Sequence, residues 1–353
     1  MAFAIREPSG LGFIPPAKQI PVAPYHRAYG TELEPAAAAM SLTIGVDVGG
    51  TKVAAGVVDS DGTVLATAKR DTPADDQAKT VEVIIEVIAE LRASHDVEAI
   101  GLGAAGFIDA QRSTVVFAPN LAWRDEPLRA SVERSSGLPA VVENDANAAA
   151  WGEAQFGAAR KVDSMVLLTI GTGVGGGVVL DGKLYRGHNG MAAEIGHLTV
   201  VPGGRRCGCG NRGCLERYAS GRALVREARD LADVSPEYGA RMLELGDGEP
   251  EGITGPEVTQ AAREGDPAAL EAFAVIGAWL GGGLASLAAL LDPDMFVLGG
   301  GVSDAGELLR RPTEEAFLSG LTGRDYRQAP TVALAELGAQ AGIVGAADLA
   351  RRR

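Results

Sequence analysis

The apolar residues of this chain change period several times, and each change marks a predicted element. From Leu42 onward, short β-branched runs are separated by glycine turns and by Asp61-Gly62, which predicts three antiparallel strands. Apolar residues at helical spacing then predict a helix from about Thr80 to Ala93. A buried strand follows through Gly101, and together these elements predict an α/β fold.

The second half of the chain repeats the pattern of the first. Three strands are predicted, over Ser164 to Ile170, Gly176 to Leu180 and Lys183 to Tyr185. Turns separate them, and the first turn begins at Gly171. Two copies of one β-meander, each opening with a glycine turn, indicate a duplicated domain with a cleft between the copies.

Two helices and a strand are predicted after the second meander. The helices run from about Leu215 to Ala232 and from Pro267 to Leu291, and the strand covers Met295 to Leu298. The 18 uncharged residues from Ala274 to Leu291 satisfy the minimum length of a membrane span. Consecutive glycines and the strand that follows favour a buried core helix instead.

Residues 1–40 differ in composition from the rest of the chain. They contain six prolines and no sustained period, which predicts a disordered N-terminal extension. It is interpreted either as a solvated tail or as an upstream misreading of a chain that begins at Met40.

The charge and the cysteines limit the possible partners and location. A net charge of −14 disfavours nucleic acid, whose phosphates require a basic surface. The three cysteines cannot form a disulfide framework, and no segment reads as a signal peptide or a span. We therefore expect a cytoplasmic protein with no nucleic acid or membrane partner.

A cluster of metal-binding residue types contains every cysteine of the chain. Cys207, Cys209 and Cys214 lie within eight residues, and His197 precedes them by ten. Three thiolates and an imidazole fill a closed tetrahedral site, which predicts a structural zinc ion; the alternative is three incidental thiols.

Two loops carry groups that hold phosphate. Asp47 and the segment Gly49-Gly50-Thr51-Lys52 combine a carboxylate, a hydroxyl and free amides, which suit phosphates and magnesium, although the glycines could simply form a hairpin. Thr172 and Gly173 occupy the equivalent place in the second copy. Two G-x-G-x-x-G matches, at residues 101–106 and 171–176, precede β-like sequence, so they do not indicate dinucleotide binding.

Asn144 and Asp145 follow a short strand and open a helix that ends near Phe156. Asn and Asp are common helix caps, and capping is one interpretation. The other is that Asp145 accepts the proton of a substrate hydroxyl that attacks the γ-phosphate of a nucleotide.

In combination, the motifs resemble those of the ROK-family sugar kinases, over essentially the whole chain from Leu42. Within that family the sequence is most similar to ATP-dependent glucokinases of actinobacterial type. The matching motifs occur in the family's order: Asp47-x-Gly-Gly-Thr-Lys52, Gly106-x-x-Asp109, Asn144-Asp145, Thr172-Gly173, Glu194-x-Gly-His197, Cys207-x-Cys-Gly-x-x-Gly-Cys214-Leu-Glu216 and Gly299-Gly-Gly301.

The resemblance implies an actin-like ATPase (ribonuclease H-like) fold and transfer of the ATP γ-phosphate to the 6-hydroxyl of glucose. It implies that Asp145 is the catalytic base and that His197 and the three cysteines bind zinc. The implied sugar ligands are Asn144, Asp145, Glu194, His197 and Glu216. The implied ligands of ATP and magnesium are Asp47, Gly49, Gly50, Thr51, Lys52, Thr172, Gly173, Gly300 and Gly301.

Three points stay open at this stage. The first domain is expected over residues 41–150, completed by a C-terminal helix at 341–353, and the second over residues 151–340 with a zinc loop at 197–214. The sugar could be another hexose or an N-acetylhexosamine, and some family members are sugar-responsive regulators. A dimer or tetramer is expected from the resemblance.

Overall fold

Two five-stranded sheets contain most of the strands. The computed structural model describes residues 41–119 and 121–353, so the extension expected over residues 1–40 lies outside the described residues. The strands are β1 (Thr43–Val48), β2 (Lys52–Val58), β3 (Val64–Asp71), β4 (Ala99–Ala104), β5 (Phe107–Ile108), β6 (Val115–Phe117), β7 (Arg124–Glu126), β8 (Ala140–Asn144), β9 (Met165–Ile170), β10 (Val174–Leu180), β11 (Lys183–Leu184), β12 (Met295–Gly299) and β13 (Thr331–Leu334).

The helices cover the faces of these sheets. Short 3-10 turns occur at Ile195–His197, Pro250–Gly252, Gly301–Ala305 and Gly338–Gln340. The α-helices are α1 (Gln77–Arg92), α2 (Leu128–Ser136), α3 (Asp145–Gln155), α4 (Glu216–Ala219), α5 (Gly221–Val234), α6 (Ala240–Leu245), α7 (Gly255–Arg263), α8 (Pro267–Leu291), α9 (Glu307–Gly320) and α10 (Ala341–Arg351).

The two large sheets have the same topology, which confirms the predicted duplication. Their strand orders are β3-β2-β1-β4-β8 and β11-β10-β9-β12-β13. In each sheet an antiparallel meander is followed by two parallel strands. The turn before β11 has positive φ at both Asp181 and Gly182, as a tight Asp-Gly hairpin requires.

The first sheet is buried on both faces. Ile84, Val87 and Ile88 of α1 join its hydrophobic core, and α10 packs against β1 and β4. Gly45 and Gly101 allow this packing, because a Cβ on either would lie 1.8 Å from a backbone oxygen of α10. Gly101, the first glycine of the G-x-G-x-x-G match at residues 101–106, thus allows α10 to pack against the sheet.

The long apolar helix α8 belongs to the core beside the second sheet. Phe273, Ile276 and Leu280 are fully or almost fully buried, and the helix packs against α9 and α5. Among the described residues it is the one helix with the length and hydropathy of a span. The predicted single helix from Leu215 to Ala232 is wrong: it is two helices, because Ser220 adopts an extended conformation and caps α5.

Helices α3 and α10 link the two sheets. Helix α3 contacts β9 and β10 of the second sheet as well as β4 and β8 of the first, and it packs closely on α10. A Cβ on Gly345 would lie 1.7 Å from the backbone oxygen of Ala148, so the two helices cross at very short range. The domain boundary expected near residue 150 stays a prediction.

Candidate active site

Hydrogen bonds from the side chain of Asn144 fix the junction between β8 and α3. Its Oδ1 accepts the backbone N–H of Asn147 at 3.0 Å, which confirms the capping interpretation. Its Nδ2 donates to the backbone carbonyl of Gly106 at 3.1 Å. The next residue, Asp145, is therefore held in the first turn of α3, where the helix dipole favours a negative charge.

Asp145 and Asp47 line one cavity of about 180 Å³ between the two sheets. Burial raises the pKa of Asp47 from 3.8 to about 7, and the negative charge of Asp145 adds to the increase. Burial also raises the pKa of Asp145, while the backbone N–H of Ala146 opposes the increase. Two neighbouring carboxyls thus have raised pKa values, as acid–base and metal-binding groups often do.

Replacing Asp47 with asparagine is expected to raise the melting temperature of the ligand-free protein, by about 1–2 °C for each kcal/mol recovered. A carboxyl whose pKa rises on folding holds its proton more tightly in the folded state, so its contribution to stability is lost as pH rises from about 4 to about 7. The gain should therefore grow over that range and level off above it. Calorimetry from pH 4.5 to 8 in magnesium-free buffer measures it, and a gain independent of pH would contradict the assignment.

A second cavity, of about 280 Å³, brings the predicted sugar-binding residues together and is called the sugar cavity for that reason. Nε2 of His197 lies 4.0 Å from Oε2 of Glu194. Burial raises the pKa of Glu194; His197 opposes this, and the charges of Asp145 and Glu216 add to it. The cavity is therefore lined by polar groups that can pair with hydroxyls. The five predicted sugar ligands that line it are Asn144, Asp145, Glu194, His197 and Glu216.

Glu216 is held against the turn between β9 and β10, which contains the predicted phosphate residues Thr172 and Gly173. Its Oε2 accepts the backbone N–H of Val174 at 3.3 Å. A Cβ on Gly173 would lie 2.2 Å from the same oxygen, so a larger residue at this position would require the carboxylate of Glu216 to move. Gly173 lines the same cavity as Glu216, and its predicted contact with the nucleotide stays a prediction.

The four predicted metal ligands converge at one point beside this cavity. The ligand atoms of His197, Cys207, Cys209 and Cys214 all lie within 4.8 Å of one another. Nδ1 of His197 is 3.6 Å from Sγ of Cys207, and the Sγ atoms of Cys209 and Cys214 are 3.7 Å apart. A tetrahedral zinc ion with bonds near 2.3 Å requires ligand separations of about 3.8 Å. The residues present fit a zinc ion.

The orientation of His197 connects the metal ligands with the sugar cavity. Nδ1 faces the sulfur of Cys207, whereas Nε2 faces the carboxylate of Glu194. Glu216 is also close, with Oε1 at 3.7 Å from the sulfur of Cys207. One imidazole can therefore bind a metal through one nitrogen and a substrate through the other.

A third and much larger cavity, of about 1120 Å³, adjoins the sugar cavity. Gly171 lines both of them, and Thr172 and Gly301 line the larger one. Gly300 lies instead on the two cavities that contain Asp145. Three arginines of α5 also line the larger cavity, and the sequence patterns did not single them out because they occupy the polar face of an ordinary amphipathic helix: Arg222, Arg226 and Arg229.

The loop between β1 and β2 lies at the end of the strand that carries Asp47. Thr72 donates from Oγ1 to the backbone carbonyl of Gly49 at 2.8 Å, and the amide of Gly49 donates to the carbonyl of Lys52 at 3.0 Å. Gly50 is partly buried, whereas Thr51 and Lys52 are exposed, and none of the four lines the cavities described above. Their predicted contact with phosphate stays a prediction.

Comparison with known proteins gives matches over almost the whole described chain. The family model described as "ROK family" matches residues 43–353. A glucokinase of Streptomyces coelicolor is 51% identical over 312 residues, which are 88% of this chain and 98% of that protein.

Solved structures match as well. The structure of a ROK family glucokinase from Streptomyces griseus, in complex with glucose and AMPPNP, is 53% identical with a TM-score of 0.82, covering 89% of this chain and 100% of that one. A ROK hexokinase from Thermus thermophilus is 39% identical with a TM-score of 0.73, covering 88% and 98%.

Proposed function

The chain belongs to the ROK family, and we propose that it acts as an ATP-dependent glucokinase, transferring the γ-phosphate of ATP to the 6-hydroxyl of glucose. Its fold is the actin-like ATPase (ribonuclease H-like) fold expected from the sequence. The observation that carries the proposal is the place of Asp145. It faces a sugar-sized cavity, and that cavity adjoins a larger one through Gly171.

Asp145 acts as the catalytic base. Glucose binds in the 280 Å³ cavity with its 6-hydroxyl towards Asp145, and ATP enters from the 1120 Å³ cavity. As the hydroxyl attacks the γ-phosphorus, its proton passes to the carboxylate, while the bond to the β-phosphate oxygen breaks and ADP leaves. The backbone N–H groups at the start of α3 hold the carboxylate in place.

Glu194, His197 and Glu216 orient the sugar. Each presents a polar atom to the cavity, and a sugar that lacks the matching hydroxyl leaves that atom unpaired at a cost in affinity. Asn144 contributes its remaining amide hydrogen, because its oxygen caps α3 and one N–H is bound to Gly106. The sugar is thereby selected by its hydroxyl pattern.

Asp47 binds magnesium on the phosphate side, and Thr172 lies near the transferred phosphate. Magnesium, when bound, neutralises charge that develops on the phosphoryl group. A positive ion beside Asp47 would favour its ionised form and so offset the increase in pKa caused by burial.

His197, Cys207, Cys209 and Cys214 hold a structural zinc ion. All four positions of a tetrahedron are filled by protein atoms, so the ion shapes the loop and leaves no position open for a reactive water. The ion would fix the ring of His197 through Nδ1 and direct Nε2 to the sugar.

We further propose a cytoplasmic homo-oligomer, a dimer or a tetramer, with a first domain over residues 41–150 plus the C-terminal helix and a second over residues 151–340. The packing of α10 against β1 and β4 supports this division. The acidic net charge supports the absence of a nucleic acid partner.

A panel of sugars tests the specificity. ADP release is measured with glucose, mannose, N-acetylglucosamine and N-acetylmannosamine, each with ATP and with inorganic polyphosphate as donor. We expect the highest kcat/KM for glucose with ATP, by at least about tenfold over an analogue that leaves one site group unpaired. A higher kcat/KM for an N-acetylhexosamine than for glucose would show that the N-acetylhexosamine is the preferred substrate. Sugar binding without any ADP release would instead favour a regulator.

A further inference from the structure

Glu143 is a buried carboxylate immediately before the two residues that open α3. Its side chain is 1% exposed. Oε1 accepts the backbone N–H of Asn144 at 2.9 Å and the Nδ2 group of Asn147 at 3.1 Å. The same two asparagines are linked by the cap of α3, so Glu143 holds the strand-to-helix junction that positions Asp145.

The second oxygen of Glu143 is shared by two arginines that come from different sheets. Nε of Arg112, in the loop between β5 and β6, lies 3.1 Å from Oε2. Nε of Arg186, which follows β11 of the second sheet, lies 2.8 Å from the same atom. The Arg186 side chain is 11% exposed, and its N–H is not aligned with the oxygen, so charge attraction dominates this contact.

Arg186 also binds the backbone near the sugar cavity. Its two Nη groups donate to the carbonyls of Asp109 at 2.9 Å and of Ala110 at 3.0 Å. That segment follows Gly106 and Phe107, which line the cavity. One guanidinium therefore contacts both Glu143, at the end of the strand that precedes Asp145, and the loop of Asp109 and Ala110, which follows cavity-lining residues.

The backbone of Arg186 begins the segment that leads to Glu194. Its carbonyl accepts the N–H of Ala192 at 3.1 Å, which closes the loop on itself. Gly190 lies against β5, since a Cβ there would be 2.8 Å from the carbonyl oxygen of Ile108. The loop over residues 186–194 is thus anchored at its start by Arg186 and ends at a proposed sugar ligand.

We propose that Arg186, acting through Glu143, is a positioning residue for the sugar: it fixes the distance between the segment that carries Glu194 and the junction that carries Asp145. The inference rests on the proposed function for its meaning in catalysis. Arg112 shares the charge of Glu143 but lies on the same side of the cavity as that residue, because its backbone carbonyl accepts the N–H of Val142 in β8 at 3.1 Å. It therefore compensates the buried charge without joining the two sides of the cavity.

The two arginines make a matched pair of test variants. In Arg186→Met, the charge of Glu143 keeps Arg112 as a partner, but the two sides of the cavity lose their link. We expect kcat/KM for glucose to fall about 10- to 100-fold, since small misplacements of reacting groups have effects of this size. The KM for ATP should stay within about threefold of the parent value, because Arg186 lies outside the lining of the large cavity.

Arg112→Met removes the other charge and serves as the control. If both arginines merely compensate a buried carboxylate, the two variants should lose similar stability and similar glucose kcat/KM. Under the proposal, both lower the unfolding midpoint, but Arg112→Met keeps glucose kcat/KM within about threefold of the parent. Equal losses in the two variants, or a parental kcat/KM in Arg186→Met, would overturn the proposal.

Hydrogen exchange provides a readout that does not depend on glucokinase activity. Arg186→Met should increase amide exchange in residues 186–194, whereas Arg112→Met should leave that segment at the parental rate. Unchanged exchange at 186–194 in Arg186→Met would exclude the anchoring role even if the proposed activity were wrong. Should Arg186→Met fail to fold, Arg186→Lys keeps the charge but cannot bind Glu143 and both carbonyls in the same geometry, and the same two measurements decide.

Discussion

Replacing Asp145 with asparagine is expected to lower kcat for glucose by about 10²–10⁴-fold, the usual contribution of a general base. Asparagine has nearly the same shape but cannot accept the proton of the attacking hydroxyl. Glucose affinity should change little, because the neighbouring Glu194, His197 and Glu216 still line the cavity. Steady-state kinetics and calorimetric titration of glucose separate the two effects.

The control for Asp145→Asn is Asp76→Asn, which makes the same chemical change at the start of another helix. Asp76 caps α1 by accepting the backbone N–H of Lys79, and it lies outside the cavities of the site. Asparagine caps a helix about as well as aspartate, so Asp76→Asn should leave both stability and kcat near the parent values. Near-parental turnover in Asp145→Asn would remove Asp145 as the base.

The pH dependence of the parent enzyme follows from the same carboxylates. A base acts in its ionised form, so kcat/KM for glucose should fall as pH decreases through the raised pKa of Asp145. Asp47, with a pKa of about 7 in the absence of metal, is expected to add to the fall at low magnesium. In Asp145→Asn, the fall in residual kcat/KM at low pH that is caused by protonation of Asp145 should be absent.

Removing one zinc ligand is expected to have the second largest effect. In Cys209→Ser, the zinc content should fall from about one per chain, and the glucose KM should rise by about 10–100-fold because His197 and Glu216 lose their support. Cys209 is the exposed ligand, so the substitution disturbs packing less than one at buried Cys207 or Cys214.

Asn211→Ser is the matched control in the same loop. Its backbone carbonyl accepts the N–H of Cys207 and is kept in the variant, while its exposed side chain is outside the ligand set. Elemental analysis and glucose kinetics should therefore match the parent protein. Fully active parent protein that contains no metal would contradict the zinc assignment.

Much of the fold could be predicted from local sequence patterns. The strand periods and the glycine and Asp-Gly turns of the two meanders lie in consecutive residues, so β1 to β3 and β9 to β11 were found within a few residues of their observed bounds. The run from Pro267 to Leu291 was found with both ends correct, because Asp266 and Pro267 mark its start.

Other elements depend on contacts that are distant in sequence. The small sheet β5-β6-β7 has strands of two or three residues, too short to show a period. The break at Ser220 is invisible in the apolar pattern, because the helices on both sides keep their buried faces. Only the packed structure reveals it.

The residues of the candidate site also divide into those that local sequence predicts and those that depend on contacts distant in sequence. The three cysteines were predicted as metal ligands from their spacing alone, whereas capping and catalysis both stayed open for Asn144 and Asp145 until the family resemblance favoured a site role. Arg186 was not predicted, since nothing around it in the sequence differs from a surface loop. Its importance appears only when it is seen 2.8 Å from Glu143, which is 43 positions earlier in the chain.

The central claim is that this protein forms glucose 6-phosphate from glucose and ATP. The most direct measurement couples the reaction to glucose-6-phosphate dehydrogenase, which reports formation of that product alone. We predict a rate that saturates with both glucose and ATP, requires magnesium and is lowered by about 10²–10⁴-fold in Asp145→Asn. Saturable glucose binding with no glucose 6-phosphate formed at any ATP concentration would contradict the account.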